Sequence, residues 1–182
     1  MAQFSTSGTS SESKGWEPID KGRYHFTVTG VQDETGNKAS PRLVVECEVL
    51  NGESPGMKGR KHTEFFNISD NVKTVERILK LAVAIGLYTK QQWDADAAAE
   101  RNADFDFETN AIGRQFVGKI SHKPHDGKVY GRLNYDIWPV TADEAKGTPV
   151  DTEMLAMIGV SVSGAPAQQQ SAPVNDDIAA GF

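Results

Sequence analysis

Apolar and polar residues alternate along much of the first 140 positions. In "GRYHFTVTGVQ", Tyr24, Phe26 and Val28 share one phase, while Arg23, His25 and Thr27 share the other. That period of two predicts a half-buried β-strand. "DETGNKAS" is rich in turn formers, and "RLVVECEVL" resumes the alternation with Leu43, Val45, Cys47 and Val49 on one face. The two segments predict a hairpin with a longish loop. After the turn-rich "NGESPGMKG", "RKHTEFFNI" predicts a third strand. Phe66 and Ile68 belong to its core phase, and Lys61, Thr63, Phe65 and Asn67 to its outer phase.

The period then changes. Val72, Val75, Ile78, Leu79, Ala82 and Ile85 recur at helical spacing, with Ser69 or Asp70 as the cap and Gly86 at the end. "TKQQWDADAAAERNA" predicts a second, Ala-rich and acidic helix. Two more strands follow: "RQFVGKISH" and "KVYGRLNYDIWPV", joined across "KPHDG", where Asp-Gly signals a hairpin turn. Three strands, a helix or helix pair, and two strands define a mainly β protein with a helical insert. This is the order of the five-stranded OB-fold barrel, a partly open barrel that binds oligonucleotides. Other small barrels and sandwiches share much of the pattern.

The ends read differently. Residues 1–15 are rich in Ser, Thr and Gly, and predict a disordered segment. Residues 16–140 form the expected domain. Residues 141–182 predict a flexible acidic tail: the apolar patch "MLAMIGV" at 154–160, then a Gly/Ala/Pro/Gln linker, then "PVNDDIAAGF". The patch fits a docking helix, an oligomer contact or a partner site equally well.

Charge sharpens this division. The 182-residue chain carries a net −6, but residues 141–182 alone carry −5, which leaves the rest near neutrality. Segment 90–110 is acidic, whereas 111–135 holds Arg114, Lys119, Lys123, Lys128 and Arg132 against Asp126. Sequence-tolerant binders of single strands need cations for phosphates and flat side chains for base stacking. "KGRKHTEFF" and "GKISHKPHDGKVYGR" interleave the two. The candidate nucleic-acid-binding residues are therefore Lys58, Arg60, Lys61, Phe65, Lys119, His122, Lys123, Lys128, Tyr130 and Arg132. Trp16, Arg23 and His25, at the start of the domain and on the polar phase of its first strand, complete the set.

Other chemistry finds little support. Gly56-Met57-Lys58-Gly59 spells the G-x-x-G of KH domains but joins strands rather than helices, so it reads as a basic turn. His122 and His125 have no cysteine near in sequence to complete a zinc site. No nucleophile–base signature appears, and the many carboxylates of 94–108 read as solvated surface. The expectation is a non-enzymatic protein with neither cofactor nor metal. A single cysteine, Cys47, and no apolar leader predict a cytoplasmic protein.

With these features together, "GRYHFTVTGV", "LVVECEVLNGESPGMKGRKHTEFFNI", "VKTVERILKLAVAIGL" and "IGRQFVGKISH…VYGRLNYDIWP" resemble phage-encoded single-stranded-DNA-binding proteins of the OB-fold kind, over about residues 16–140. The terminus resembles the acidic tip of bacterial single-stranded-DNA-binding proteins. Asp176, Asp177, Ile178 and Phe182 match it, while Ala179-Ala180-Gly181 stands where one proline is expected. The resemblance implies a replication or recombination accessory in a host bacterial cytoplasm. It would coat single-stranded DNA and recruit phage or host proteins through its tail, with homo-oligomer formation left open. The alternative is an OB-fold adaptor for proteins alone.

Overall fold

A computed structural model describes residues 17–36, 39–69 and 71–161. The expected N-terminal segment 1–15, Trp16 and the tip residues Asp176–Phe182 lie outside the described residues. Strands β1 (Gly22–Glu34), β2 (Arg42–Gly52), β3 (Lys61–Asn67), β4 (Gln115–His125) and β5 (Lys128–Trp138) form one open antiparallel sheet in the order β3-β2-β1-β4-β5. Helices α1 (Val72–Ala84), α2 (Lys90–Ala98) and α3 (Phe107–Asn110) lie between β3 and β4. A short helix α4 (Thr152–Met157) follows β5. Among the described residues, no helix is long and apolar enough to cross a membrane.

The alternation produces the core directly. Tyr24, Phe26, Val28, Val45, Cys47, Val49, Phe66, Phe116, Ile120 and Leu133 are all essentially inaccessible. Phe26 stacks on Phe116 with centroids 5.3 Å apart. Leu81, Ala82, Ala84 and Ile85 of α1 and its C-cap join them. The β4–β5 turn is the two-residue loop Asp126-Gly127, with φ of 48° and 72°. Positive φ at both central residues is the type I′ signature that Asp-Gly satisfies at low steric cost.

Two details of α1 differ from the sequence expectation. Asn71, rather than Ser69, caps it, its Oδ1 accepting from Lys73 N at 3.0 Å; Asp70, the other expected cap, lies outside the described residues. Val72 and Val75 are exposed. They fit the helical period, but only the later turns of the helix, at Leu81, Ala82 and Ala84, are buried.

A larger correction concerns the C-terminal boundary. Residues 141–161 are ordered and form a strap across the outer face of the sheet. Leu155, within the "MLAMIGV" patch, is 1% exposed and anchors it. Asn51 Nδ2 donates to Val150 O (3.0 Å) and Gln115 Nε2 to Met154 O (2.9 Å). The patch is a docking helix on its own sheet. Its mainly main-chain attachments leave no periodic trace in sequence.

The two edge strands β3 and β5 approach each other without a backbone ladder. Arg77 of α1 fills the gap. Its guanidinium donates to Phe65 O of β3 (3.0 Å), to Leu133 O of β5 (3.0 Å from Nε) and to Glu64 Oε1. Glu64 is fully buried and also accepts from Leu133 N (2.7 Å) and His62 Nε2 (3.0 Å). Burial pulls the Glu64 carboxyl upward, but the bonds from His62, Arg77 and Leu133 outweigh it and the net shift is down.

Removing one member of a buried ion pair typically costs about 3–5 kcal/mol. Urea unfolding of Arg77→Ala at neutral pH is therefore expected to show a loss near that range, with Arg77→Lys also destabilised because an ammonium cannot reach all three acceptors. Because the folded value of Glu64 is lowered, its contribution is complete above pH 4.5 and is lost as pH falls through that lowered value. An Arg77→Ala protein as stable as the parent would contradict the assignment.

Candidate nucleic-acid interface

A groove of about 640 Å³ opens between the first half of β3 and the start of β5. Arg60, Lys61, Thr63 and Phe65 line one wall; Tyr130 and Arg132 line the other. The outward phase of each strand delivers these side chains, because the inward phase is spent on Phe66 and Leu133. Phe65 is half-buried and its ring carries the Arg42 guanidinium 4.9 Å from its centroid. Arg132 Nε lies 3.7 Å from Glu64 Oε1, so the buried carboxylate helps hold a groove cation in place.

The structure thus brings together Arg60, Lys61, Phe65, Tyr130 and Arg132. Lys123 pairs with Tyr130 across the β4–β5 ladder, and Lys128 lies two residues before it. Both extend the cationic face along the hairpin. A flat ring on each wall with cations around them is suited to hold an extended polyanion bearing flat bases.

Several predicted residues sit elsewhere. His25 is fully buried beneath the strap. Its Nε2 donates to Gln115 Oε1 (2.9 Å) and its Nδ1 accepts from Asp151 N (3.0 Å). Its polar-phase position faces the strap rather than solvent. Arg23 pairs with Glu53 (2.9 Å) and reaches the carbonyls of Glu144 and Lys146. Lys119 is the cross-strand partner of Arg23 on that same side. Lys58 pairs with Asp151 at 3.0 Å. Arg114, one source of the basic segment, donates to the carbonyls of Ile85, Gly86 and Asn110 at helix ends. His122 Nε2 donates to Ile19 O at 2.8 Å.

Sequence reasoning missed the third side of the groove, made by Glu17, Pro18 and Ile19. The available signal was "WEPID": an apolar residue beside a proline just ahead of the first strand. It also missed the Glu64 network, although Glu64 and His62 share the core phase of Phe66. A carboxylate in that phase requires buried partners. Among the described residues, no group of three or more His, Cys, Asp or Glu side chains is placed to hold a metal ion.

Fold and groove together define an antiparallel β protein with a cationic, aromatic-walled cleft between its edge strands. The chain belongs to the family described as "Protein of unknown function (DUF669)", whose model matches residues 6–128. No curated protein matches it.

The buried His25 gives a pH prediction. Burial lowers its pKa from 6.5 to about 4, against the raising effects of Gln115 and Asp151. A depressed folded value means that full stability holds above pH 6.5 and falls as pH drops from 6.5 toward 4, because the unfolded chain binds the proton first. At 1.36 kcal/mol per unit, the loss reaches about 3 kcal/mol. Unfolding midpoints between pH 7.5 and 4.5 should fall for the parent and stay nearly level for His25→Asn. A level parent profile would contradict the buried, neutral imidazole.

Proposed function

We propose that the protein binds single-stranded DNA, with little sequence preference, along the groove between β3 and β5. The observation that carries this reading is the convergence of Phe65 and Tyr130 from opposite walls on one groove also lined by Arg60, Lys61 and Arg132. Sequence-tolerant binding needs only π-faces and backbone charge complements, and it requires no bidentate reading of base edges. The strand order supports a finer description of the fold as a partly open OB barrel. In that fold the two terminal strands of the order β3-β2-β1-β4-β5 come together. Here the Arg77–Glu64 network joins them at one point and leaves the groove open beyond it.

In this reading the protein coats exposed strands during replication or recombination. The acidic tip, Asp176, Asp177, Ile178 and Phe182, recruits partner proteins: its acids and carboxylate meet a cationic surface while Phe182 enters an apolar pocket. The net −5 of residues 141–182 fits a tail that competes with DNA for the cationic groove.

Fluorescence anisotropy with labelled oligo-dT at low salt is the direct test. Binding is expected to weaken steeply with salt, because each neutralised phosphate releases counterions. Phe65→Ala or Tyr130→Ala should each cost roughly 1–3 kcal/mol, the worth of one stacked base. No anisotropy change at micromolar protein would overturn the proposal. If deletion of 176–182 then abolished capture of a partner protein, the adaptor alternative would stand in its place.

A further inference from the structure

Residues 17–19 cross the open end of the groove between its two walls. Ile19 is 3% exposed, so the segment is pinned at one end by burial. Two side chains that charge alone assigns to phosphate pin its main chain. Arg60 Nη2 donates to Glu17 O at 2.8 Å, from the β3 side. His122 Nε2 donates to Ile19 O at 2.8 Å, from the β4–β5 hairpin. Glu17, exposed and lining the groove, brings the one carboxylate among the groove-lining residues, beside Arg60, Lys61 and Arg132.

We propose that Arg60 and His122 are positioning residues that hold Glu17–Ile19 as a third wall of the groove, and that Glu17 is an acid which an incoming phosphate must displace. The inference rests on the single-strand-binding reading and divides its cations into two groups. Lys61 and Arg132 contact phosphate. Arg60 and His122 act through the wall, where Arg60 Nη2 and His122 Nε2 donate to main-chain carbonyls. Glu17 weakens binding, since its carboxylate competes for the same cations.

The test has one arm without DNA and one with it. Without DNA, hydrogen exchange of the Glu17, Ile19 and Asp20 amides should be faster in Arg60→Ala and His122→Ala than in the parent. The β1 and β5 amides should be unchanged, which shows that both variants remain folded. With oligo-dT, Lys61→Gln and Arg132→Gln should each lower the slope of log K against log salt by about 0.7, the value for one phosphate contact on a single strand. Arg60→Ala and His122→Ala should leave that slope at the parental value. Glu17→Gln should bind about two- to fivefold more tightly at low salt, the size of one exposed charge pair.

Unchanged exchange at 17–20 in both anchor variants would overturn the wall. A slope lowered by Arg60→Ala as much as by Lys61→Gln would return Arg60 to the phosphate ligands and equally overturn the inference. Unchanged or weaker binding by Glu17→Gln would remove the competing acid. Failure of the parent protein to bind oligo-dT would defeat the functional reading itself, while the exchange arm would still decide whether the wall exists.

Discussion

The buried contact between Glu64 and Arg77 governs the geometry of the site. A five-stranded open sheet has two edges, and each presents unpaired main-chain groups that must be satisfied or covered. Here the edges are brought face to face, and one guanidinium from α1 serves carbonyls on both. Glu64 completes the arrangement by accepting Leu133 N from the opposite strand. A carboxylate with no exposed surface is costly unless every lone pair has a donor, and His62, Arg77 and Leu133 provide them. Buried ion pairs often contribute little net stability compared with apolar packing, but this one joins named groups of β3 and β5 across the gap. Phe65 and Tyr130 stand on the two walls of the groove, and their separation depends on how this contact spaces the strands.

The same contact links core to surface. His62 and Arg132 both touch the Glu64 carboxylate and both line the groove. The electrostatics of the groove floor are therefore set from beneath by a buried negative charge, which stays ionised because its pKa is lowered. At the rim, by contrast, the cations belong to exposed strand and hairpin positions where charge is screened by solvent.

Elements built on side-chain periodicity were readable from the sequence. Tyr24, Phe26 and Val28 alternate, the Asp126-Gly127 turn carries its own conformational signature, and Gly86 ends α1 with φ of 73°. Five of the candidate residues meet in one groove for the same reason: strand phase places Lys61, Phe65, Tyr130 and Arg132 outward, and Arg60 directly precedes β3. What escaped was built on main-chain contacts. The strap is held by carbonyls of Val150 and Met154 and by the amide of Asp151, and the third wall by carbonyls of Glu17 and Ile19. Such bonds place no demand on residue type in the segment that supplies them. His25 looked solvent-facing because its cover lies 126 positions away in sequence. Basic residues misled in the same way: Arg23, Lys58 and Arg114 answer local carboxylates and helix-end carbonyls, so a count of cations overstated the surface free for a ligand.

If a single strand occupies the groove, its bases lie within bonding distance of the wall residues. Photo-crosslinking with an oligonucleotide carrying 5-bromodeoxyuridine, followed by mass-spectrometric mapping, reads this contact residue by residue. Crosslinks at Phe65 and Tyr130, with none on the strap face around Arg23 and Lys119, are the expected result. Crosslinks confined to the strap face or to α1 and α2, with the groove peptides unmodified, would contradict the account.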